Sequence, residues 1–343
     1  MGAHSRGSLL SAAEGERRPE ATVASEVDVR RLVLICGVGR SGTSLLHSML
    51  NAHPELAFPP ETHFFRRYVA PSRVRKALER GTVASFAARL DADVDFARAN
   101  IAAEALLAGQ KDGALAPLAV FERLLALYSA GQGKHRVGDK DPRNLDHLPA
   151  LARAFPSAYV LHVIRDPRDV LLSRTRAAWS KGRPWWQHVL LAQDQLRRGR
   201  QLGARLFGAR YLEVRYEALV AEPEQTLAAV AAHIGLDYDA AMLQFGNSAR
   251  ALVDSREHSW KKETLGPLLT DNVEKWRREL PAAQIAFVER VSSEAFDRLG
   301  YRRSAGASAS GAGPAPRTPS LAPLYRTMSR SVFAARRLLE GLR

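Results

Sequence analysis

Residues 32–50, LVLICGVGRSGTSLLHSML, decide the fold, because an apolar run here meets a glycine-rich turn and then apolar residues at helical spacing. The apolar run predicts a buried strand, and the stretch from about Thr43 predicts the helix that follows it. In such a strand, loop and helix, backbone N–H groups and the positive end of the helix face the same point. The sequence therefore predicts an anion site at the loop.

The glycines of this loop match the dinucleotide-binding pattern G-x-G-x-x-G at Gly37, Gly39 and Gly42. That pattern also requires an acidic residue about 20 positions further on, at the end of the second strand. Glu61 stands at that distance, but two prolines precede it, and prolines are unusual in an interior strand. The dinucleotide alternative therefore lacks its second element.

Gly37 and Gly42 also form the frame G-x-x-x-x-G of a triphosphate-binding loop. In that loop a lysine follows the second glycine and reaches the outer phosphates, and the next hydroxyl holds magnesium. Here Thr43 and Ser44 follow Gly42 directly, and the lysine is missing. A P-loop nucleotide kinase or hydrolase thus remains only the alternative.

The remaining features of the loop suit a smaller, phosphate-like anion that needs no metal. Backbone N–H groups of residues 39–44 are expected to point into the loop, and the guanidinium of Arg40 offers a planar fork of donors. Two hydroxyls follow at the start of the helix. The candidate ligands for the anion are Gly39, Arg40, Ser41, Gly42, Thr43 and Ser44.

A second anion motif lies in residues 160–174, VLHVIRDPRDVLLSR. Arg165 stands at the end of a predicted buried strand, and Ser173 lies in the helix after it. An arginine at the strand end and a hydroxyl on the next helix can converge on one phosphate at the carboxyl end of the sheet. The sequence therefore predicts two phosphate sites, each following a strand, in one domain.

Predicted strands alternate with predicted helices along residues 29–300, which indicates an α/β domain. We expect a P-loop-type three-layer fold with a mostly parallel central sheet flanked by helices. Residues 1–28 are polar and aperiodic, which predicts disorder. Residues 301–320 predict a flexible linker, and residues 321–343 a basic amphipathic helix.

The net charge of +14 indicates an anionic ligand, and residues 301–343 contain eight arginines against one glutamate. The C-terminal helix is expected to dock on the body, on a partner or on an anionic membrane surface. A catalytically silent nucleotide or nucleic-acid binder is a further alternative. Because no pattern of basic residues interleaved with aromatic ones supports it, no nucleic-acid partner is predicted. The sequence leaves the oligomeric state open.

The chain has a single cysteine, Cys36, so internal disulfides are excluded and a reducing compartment is expected. The sequence has no apolar run of membrane-spanning length, and its N-terminus lacks the core of a signal peptide. The default prediction is therefore a cytoplasmic protein.

Together these motifs resemble the sulfotransferases that use 3′-phosphoadenosine-5′-phosphosulfate (PAPS). The resemblance covers about residues 31–300 and rests on GVGRSGTSLLHSMLNAHPEL, RDPRDVLLS, EVRYEALVAEPEQTLAAVAAHIGL and VEKWRREL, in that order. The segments PPETHFF and DKDP are similar to those of the branch that contains protein-tyrosine sulfotransferases and many bacterial enzymes. The resemblance implies metal-independent, in-line transfer of a sulfuryl group from PAPS to a hydroxyl.

The resemblance also implies roles for particular residues. Glu61 resembles the general base of this branch, with His47 and His63 as rivals. Lys140 resembles the lysine that stabilises charge at the transferred group, and Ser259 resembles a serine that contacts PAPS near sulfur. Further PAPS contacts are implied for Tyr216 and Lys275. The sequence does not choose among carbohydrate, peptide tyrosine, lipid and small natural product as the acceptor.

Overall fold

The computed structural model describes residues 27–180, 182–252, 268 and 272–304. Within these residues the strands form one sheet of β1 Val33–Gly37, β2 Leu56–Ala57, β3 Arg136–Lys140, β4 Tyr159–Ile164 and β5 Tyr211–Arg215. The strand order is β2-β3-β1-β4-β5, and every neighbouring pair is parallel. The predicted α/β class with a parallel central sheet is confirmed.

The helices occupy most of the connections between strands and the stretch after β5. In chain order they are α1 Thr43–Asn51, α2 Ser72–Glu79, α3 Val83–Asp91, α4 Ala103–Leu107, α5 Pro117–Gly131, α6 Leu148–Ala154, α7 Pro167–Arg176, α8 Trp185–Phe207, α9 Tyr216–Ala221, α10 Pro223–Ile234, α11 Gly246–Leu252, α12 Trp276–Glu279, α13 Ala282–Val291 and α14 Ser293–Leu299. Most of them pack an apolar face against the sheet or against a neighbouring helix.

The central strand β1 is buried along its whole length and separates two apolar layers. Successive side chains of a strand point to opposite faces, so Leu34 and Cys36 face one layer, while Val33 and Ile35 face the other. The first layer contains apolar residues of α5 and α6. The second contains those of α1 and α10. The sheet is thus the middle of three layers.

The path of the chain opens a crevice at the carboxyl end of β1. From β1 the chain runs out to the edge strand β2, returns through β3, and then crosses to β4 on the other side of β1. Because parallel crossovers are right-handed, the connections that leave β1 and β4 lie on opposite faces of the sheet. Ligands of open α/β sheets bind at such a switch point.

Three predicted elements differ in the structure. The sequence RYLEVRYE, residues 210–217, predicts a strand along its whole length, but β5 ends at Arg215 and Tyr216 begins α9. A helix is predicted near 239–246, but Ala240–Gln244 forms a 3-10 helix, in which the side chain of Asp239 accepts the N–H of Ala241. The helix predicted over 281–299 is two helices, α13 and α14, which meet at Ser292.

The body extends slightly beyond the predicted limits of 29–300. Val27 is buried, and Asp28 donates its N–H to the carbonyl of His135. Tyr301 is also buried, and its hydroxyl donates to Glu217, so the predicted linker does not begin at residue 301. Residues 1–26 and 305–343 of the predicted terminal segments, and Ser259, lie outside the described residues. Among those described, no helix is both long and apolar enough to cross a membrane.

Candidate functional site

The glycine loop connects β1 to α1, and two of its glycines are required by their surroundings. A Cβ on Gly37 would lie 2.7 Å from the Val163 carbonyl oxygen, so the loop packs directly against β4. Gly42 has a φ of +102° and precedes α1, and a Cβ there would overlap the ring of Tyr216. A Cβ on Gly39 would make only an ordinary van der Waals contact, 3.5 Å from Nη1 of Arg174.

Two arginines hold the backbone of the loop through successive carbonyl groups. Arg174 donates to the carbonyl oxygen of Gly39 at 3.3 Å, and Arg165 donates to that of Arg40 at 3.4 Å. Because the C=O and N–H of a trans peptide point in opposite directions, the first bond turns the Arg40 N–H away from Arg174. Arg40 itself has a φ of +79°, which is strained for a residue with a Cβ.

The amide of Ser41 differs from expectation. Its N–H donates to the carbonyl of Val38 at 3.0 Å, within the loop, instead of facing a ligand. The Ser41 side chain is buried as well. Thr43 and Ser44 begin α1, where the first N–H groups of a helix have no partner within the helix. Of the amides predicted to bind the anion, that of Ser41 is therefore used within the loop itself.

The two predicted phosphate motifs are in direct contact. The Nε of Arg40 donates to Oγ of Ser173 at 2.9 Å, which joins the loop to the middle of α7. Arg165 reaches the same loop from the end of β4. The structure thus brings together both predicted phosphate sites at the carboxyl end of the sheet.

Tyr216 joins the loop to the second motif. The guanidinium carbon of Arg165 lies 4.2 Å from the centre of the Tyr216 ring, which also covers Gly42. Asn272 supports both residues: its carbonyl accepts from Arg165 at 2.6 Å, and its side-chain amide donates to the Tyr216 hydroxyl at 2.9 Å. No motif predicts the role of Asn272, since it lies 56 residues after Tyr216.

The segment around Lys275 is fixed on α7 by Asp169. One carboxylate accepts the N–H of Glu274 at 2.8 Å and that of Trp276 at 3.0 Å, and so holds the backbone on both sides of Lys275. Burial raises the pKa of Asp169 to about 6, although the charge of Arg165 opposes the rise. Sequence reasoning missed Asp169; its position in the first turn of the helix after DPR was the available signal.

Arg168 attaches the last helices to the same helix, α7. Its buried guanidinium contacts Asp166 at 2.6 Å and Glu289 of α13 at 2.6 Å. It also lies 3.5 Å from the centre of the Trp276 ring. Helix α7, which contains Ser173 of the second predicted phosphate motif, is therefore fixed to elements more than 100 positions later in the chain.

Lys140 and Glu61 lie on the other side of the loop. Lys140 is the last residue of β3 and is buried, and its Nζ donates to Oγ of Ser44 at 3.1 Å. The same ammonium contacts the Glu61 carboxylate, whose side chain is 12% exposed. This arrangement places the predicted lysine between the predicted base and the start of α1.

A second group of ionisable residues lies beside Glu61. Asp141 accepts hydrogen bonds from Nδ1 of His63 and from Nε of Arg66, each at 2.9 Å. Burial alone would raise the pKa of Asp141, but His63 and Arg66 outweigh it and hold that pKa well below its ordinary value. Sequence reasoning weighed His63 only as a rival base and missed its contact with Asp141.

The ligand atoms of Glu61, His63 and Asp141 lie within 4.8 Å of one another, so these three residues could hold a metal ion. Both carboxylates already contact cationic side chains, because Lys140 reaches Glu61 and Arg66 reaches Asp141. These neighbours lower the attraction of the cluster for a further cation.

The rival base His47 lies in a different environment. It is buried in α1, and its ring meets that of Phe58 edge-on with centroids 5.2 Å apart. A hydroxyl substrate cannot reach it without displacing this packing. Of the two rivals, only His63 lies beside Glu61.

Comparison with known proteins matches residues 33–240 to the model of the sulfotransferase family. The nodulation protein NoeE of Sinorhizobium fredii is 28% identical over 305 residues, which cover 81% of this chain and 68% of that protein. Protein-tyrosine sulfotransferase 2 of Gallus gallus is 26% identical over 286 residues, which cover 79% of this chain and 69% of that protein.

Solved structures show the same fold. The sulfotransferase domain from the curacin biosynthetic pathway superposes with a TM-score of 0.59 at 20% identity, covering 80% of this chain and 99% of that chain. The sulfotransferase domain of the Synechococcus PCC 7002 olefin synthase gives 0.57 at 22% identity, covering 79% and 95%.

Proposed function

The chain belongs to the sulfotransferase family, and from this premise we propose that it transfers a sulfuryl group from PAPS to an acceptor hydroxyl. One observation carries the proposal. The loop, the Arg165–Ser173 motif and the Lys140–Glu61 pair meet at the carboxyl end of one sheet. The loop lies between the Arg165–Ser173 motif and the Lys140–Glu61 pair. This order suits the 3′-phosphate of PAPS, its 5′-phosphosulfate and the acceptor hydroxyl.

Donor binding is proposed to use both sides of the Arg40–Ser173 contact. The 5′-phosphosulfate would lie at the start of α1, among Arg40, Thr43 and Ser44. Arg165 and Ser173 would bind the 3′-phosphate. Tyr216 and Lys275 would lie along the nucleotide, because Tyr216 covers both Arg165 and Gly42.

In the proposed reaction, the acceptor oxygen attacks sulfur while the bond from sulfur to the bridging oxygen of the donor breaks in line. Negative charge then develops on the phosphate oxygen of the departing adenosine 3′,5′-bisphosphate. Lys140 is buried and beside Ser44, so its ammonium can stabilise that charge in a site with little water. The acceptor proton passes to Glu61.

The proposed reaction needs no metal ion, because cationic side chains of the protein supply the positive charge. Arg40, Lys140 and Arg165 neutralise the donor. The contact between Lys140 and Glu61 also restrains the base until the donor competes for the lysine. If activity instead requires a divalent ion, the Glu61, His63 and Asp141 cluster is its candidate site, and activity would disappear with a chelator.

The acceptor remains a hydroxyl compound of open class: peptide tyrosine, carbohydrate, lipid or small natural product. Glu61 is the proposed base and His63 its rival. The proposed sulfur contact of Ser259, the docking role of residues 321–343 and a cytoplasmic location stay predictions.

The first test is calorimetric titration of the full chain without magnesium. We expect adenosine 3′,5′-bisphosphate to bind, and ATP and NAD to bind more weakly, because both lack the 3′-phosphate that Arg165 and Ser173 would hold. The titration is repeated with magnesium. If ATP with magnesium is the only nucleotide that binds, the sulfotransferase proposal is refuted and a nucleotide kinase or hydrolase is supported. A second test follows ³⁵S from labelled PAPS into a panel of hydroxyl compounds, with and without a chelator.

A further inference from the structure

A small cavity lies behind the glycine loop, between β4, α7 and α8. Its volume is about 20 Å³, and its lining includes Val38 and Ser41 of the loop, Arg165 at the end of β4, and His188 and Gln193 of α8. A cavity needs roughly 10–15 Å³ to hold one water molecule. The space is therefore sufficient for a water molecule.

Four buried polar atoms of these lining residues have no hydrogen-bond partner in the part of the chain that the structure describes. They are Oγ of Ser41, Nε of Arg165, Nε2 of His188 and Oε1 of Gln193. A buried polar group left in this state costs about 1–3 kcal/mol. All four atoms belong to residues that line the same cavity, which points to a shared partner.

The chemistry of the four atoms identifies that partner. Nε of Arg165 is a donor. Nδ1 of His188 faces Nε of Arg174 at 3.5 Å, and an arginine can only donate, so the proton of His188 belongs on Nε2. Burial lowers the pKa of His188 to about 4, so the ring is neutral and Nε2 is a donor. Oε1 of Gln193 accepts, and the Ser41 hydroxyl can accept as well.

Two donors and two acceptors are the full complement of one water molecule. A cation would meet the guanidinium of Arg165, and an anion would meet the carbonyl oxygen of Gln193. We propose that this cavity binds a single ordered water that accepts from Arg165 and His188 and donates to Ser41 and Gln193.

The proposed water has a positioning role at the donor site, a role that rests on the proposed function. Two nitrogens of the Arg165 guanidinium are assigned: Nη1 donates to the carbonyl of Arg40, and Nη2 to that of Asn272. The water holds the third nitrogen, Nε, and so fixes the plane of the guanidinium toward the 3′-phosphate. It also connects Arg165 to Ser41 and thereby to the loop that would hold the phosphosulfate.

A crystal structure of the full chain that resolves ordered water tests the binding site directly. The expected result is one peak at about 2.7–3.2 Å from each of the four atoms. A dry cavity, or one filled by a neighbouring side chain, would overturn the proposal. This outcome does not depend on whether the protein binds PAPS.

The positioning role is tested with Gln193→Leu, which removes one acceptor at similar volume, and with Gln201→Leu, an exposed control on the same helix. Affinity is measured for adenosine 3′,5′-bisphosphate and for adenosine 5′-monophosphate, which lacks the 3′-phosphate. We expect Gln193→Leu to weaken bisphosphate binding about fivefold, as for loss of one hydrogen bond. The monophosphate affinity and both affinities of the control should stay unchanged.

An equal loss for both nucleotides would show general loosening and overturn the positioning role, as would unchanged bisphosphate affinity. If Gln193→Leu does not fold, Gln193→Met provides the same test with a more adaptable side chain. If the unaltered protein binds no bisphosphate while the crystal shows the water, the proposed function fails and the water site stands.

Discussion

Replacement of Asp139 by asparagine should stabilise the protein at neutral and alkaline pH. Asp139 lies next to Lys140 in β3 and is buried, and burial raises its pKa from 3.8 to about 6. Its carboxylate accepts from the side-chain amide of Asn144 at 2.8 Å, while Oδ1 of Asn144 has no partner among the described residues. An asparagine can accept from that amide and also donate to this oxygen.

The magnitude follows from the raised pKa. Since the folded protein binds the Asp139 proton more tightly than the unfolded chain does, stability declines as the pH rises through the interval from 3.8 to about 6. As the pH rises from 5 to 8, ionisation of this group lowers the free energy of unfolding by about 1.4 kcal/mol, because one pH unit separates pH 5 from the folded pKa of about 6. Asp139→Asn removes that cost, because its side chain does not ionise.

The assay is urea unfolding of both proteins at pH 5 and pH 8, with Asp91→Asn as an exposed control. The free energy of unfolding of Asp139→Asn, relative to the unaltered protein, should rise by about 1.4 kcal/mol between these pH values. The control should show no such change. A difference that is equal at both pH values would refute the argument that Asp139 is ionised at a cost.

Three other substitutions test the site. Glu61→Gln should leave affinity for adenosine 3′,5′-bisphosphate intact and reduce ³⁵S transfer by roughly 10²- to 10⁴-fold; lost affinity would mean that Glu61 is structural. Arg165→Ala should weaken bisphosphate binding roughly 10- to 100-fold, as for lost hydrogen bonds to a charged group. Arg205→Ala, at an exposed position of α8, should leave that affinity unchanged. Equal losses for both variants in calorimetry would contradict the assignment of Arg165. Gly42→Ala should cost at least about 1–3 kcal/mol of stability in urea unfolding because of its positive φ. Gly39→Ala should cost much less, and equal losses would contradict the packing of Tyr216 on Gly42.

Much of the fold could be predicted from the sequence, because its strongest signals are local. The apolar run of β1, the glycines of the loop and the start of α7 at Pro167 all follow from neighbouring residues. The later elements were less predictable. The change from strand to helix at Tyr216 depends on contacts that this segment makes elsewhere, such as that between Glu217 and the N–H of Asp166.

The site was predictable where a motif carries it and hidden where distant residues complete it. Arg40, Arg165 and Ser173 stand in recognisable spacings, and the structure places them together. Asn272 and Asp169 act through backbone contacts across long separations, which residue patterns do not encode. Their roles depend on where the chain returns after β5.

The attachment of the last helices to α7 determines how much of the chain is needed for a folded protein. A fragment that ends at residue 240, where the family match ends, would contain every strand of the described sheet. It would lack Asn272, which supports Tyr216, and Glu289 and Trp276, which cover the guanidinium of Arg168. During synthesis, the sheet can therefore form well before the proposed donor site is complete. The smallest useful expression fragment extends at least to Ser304, whose N–H donates to Glu289.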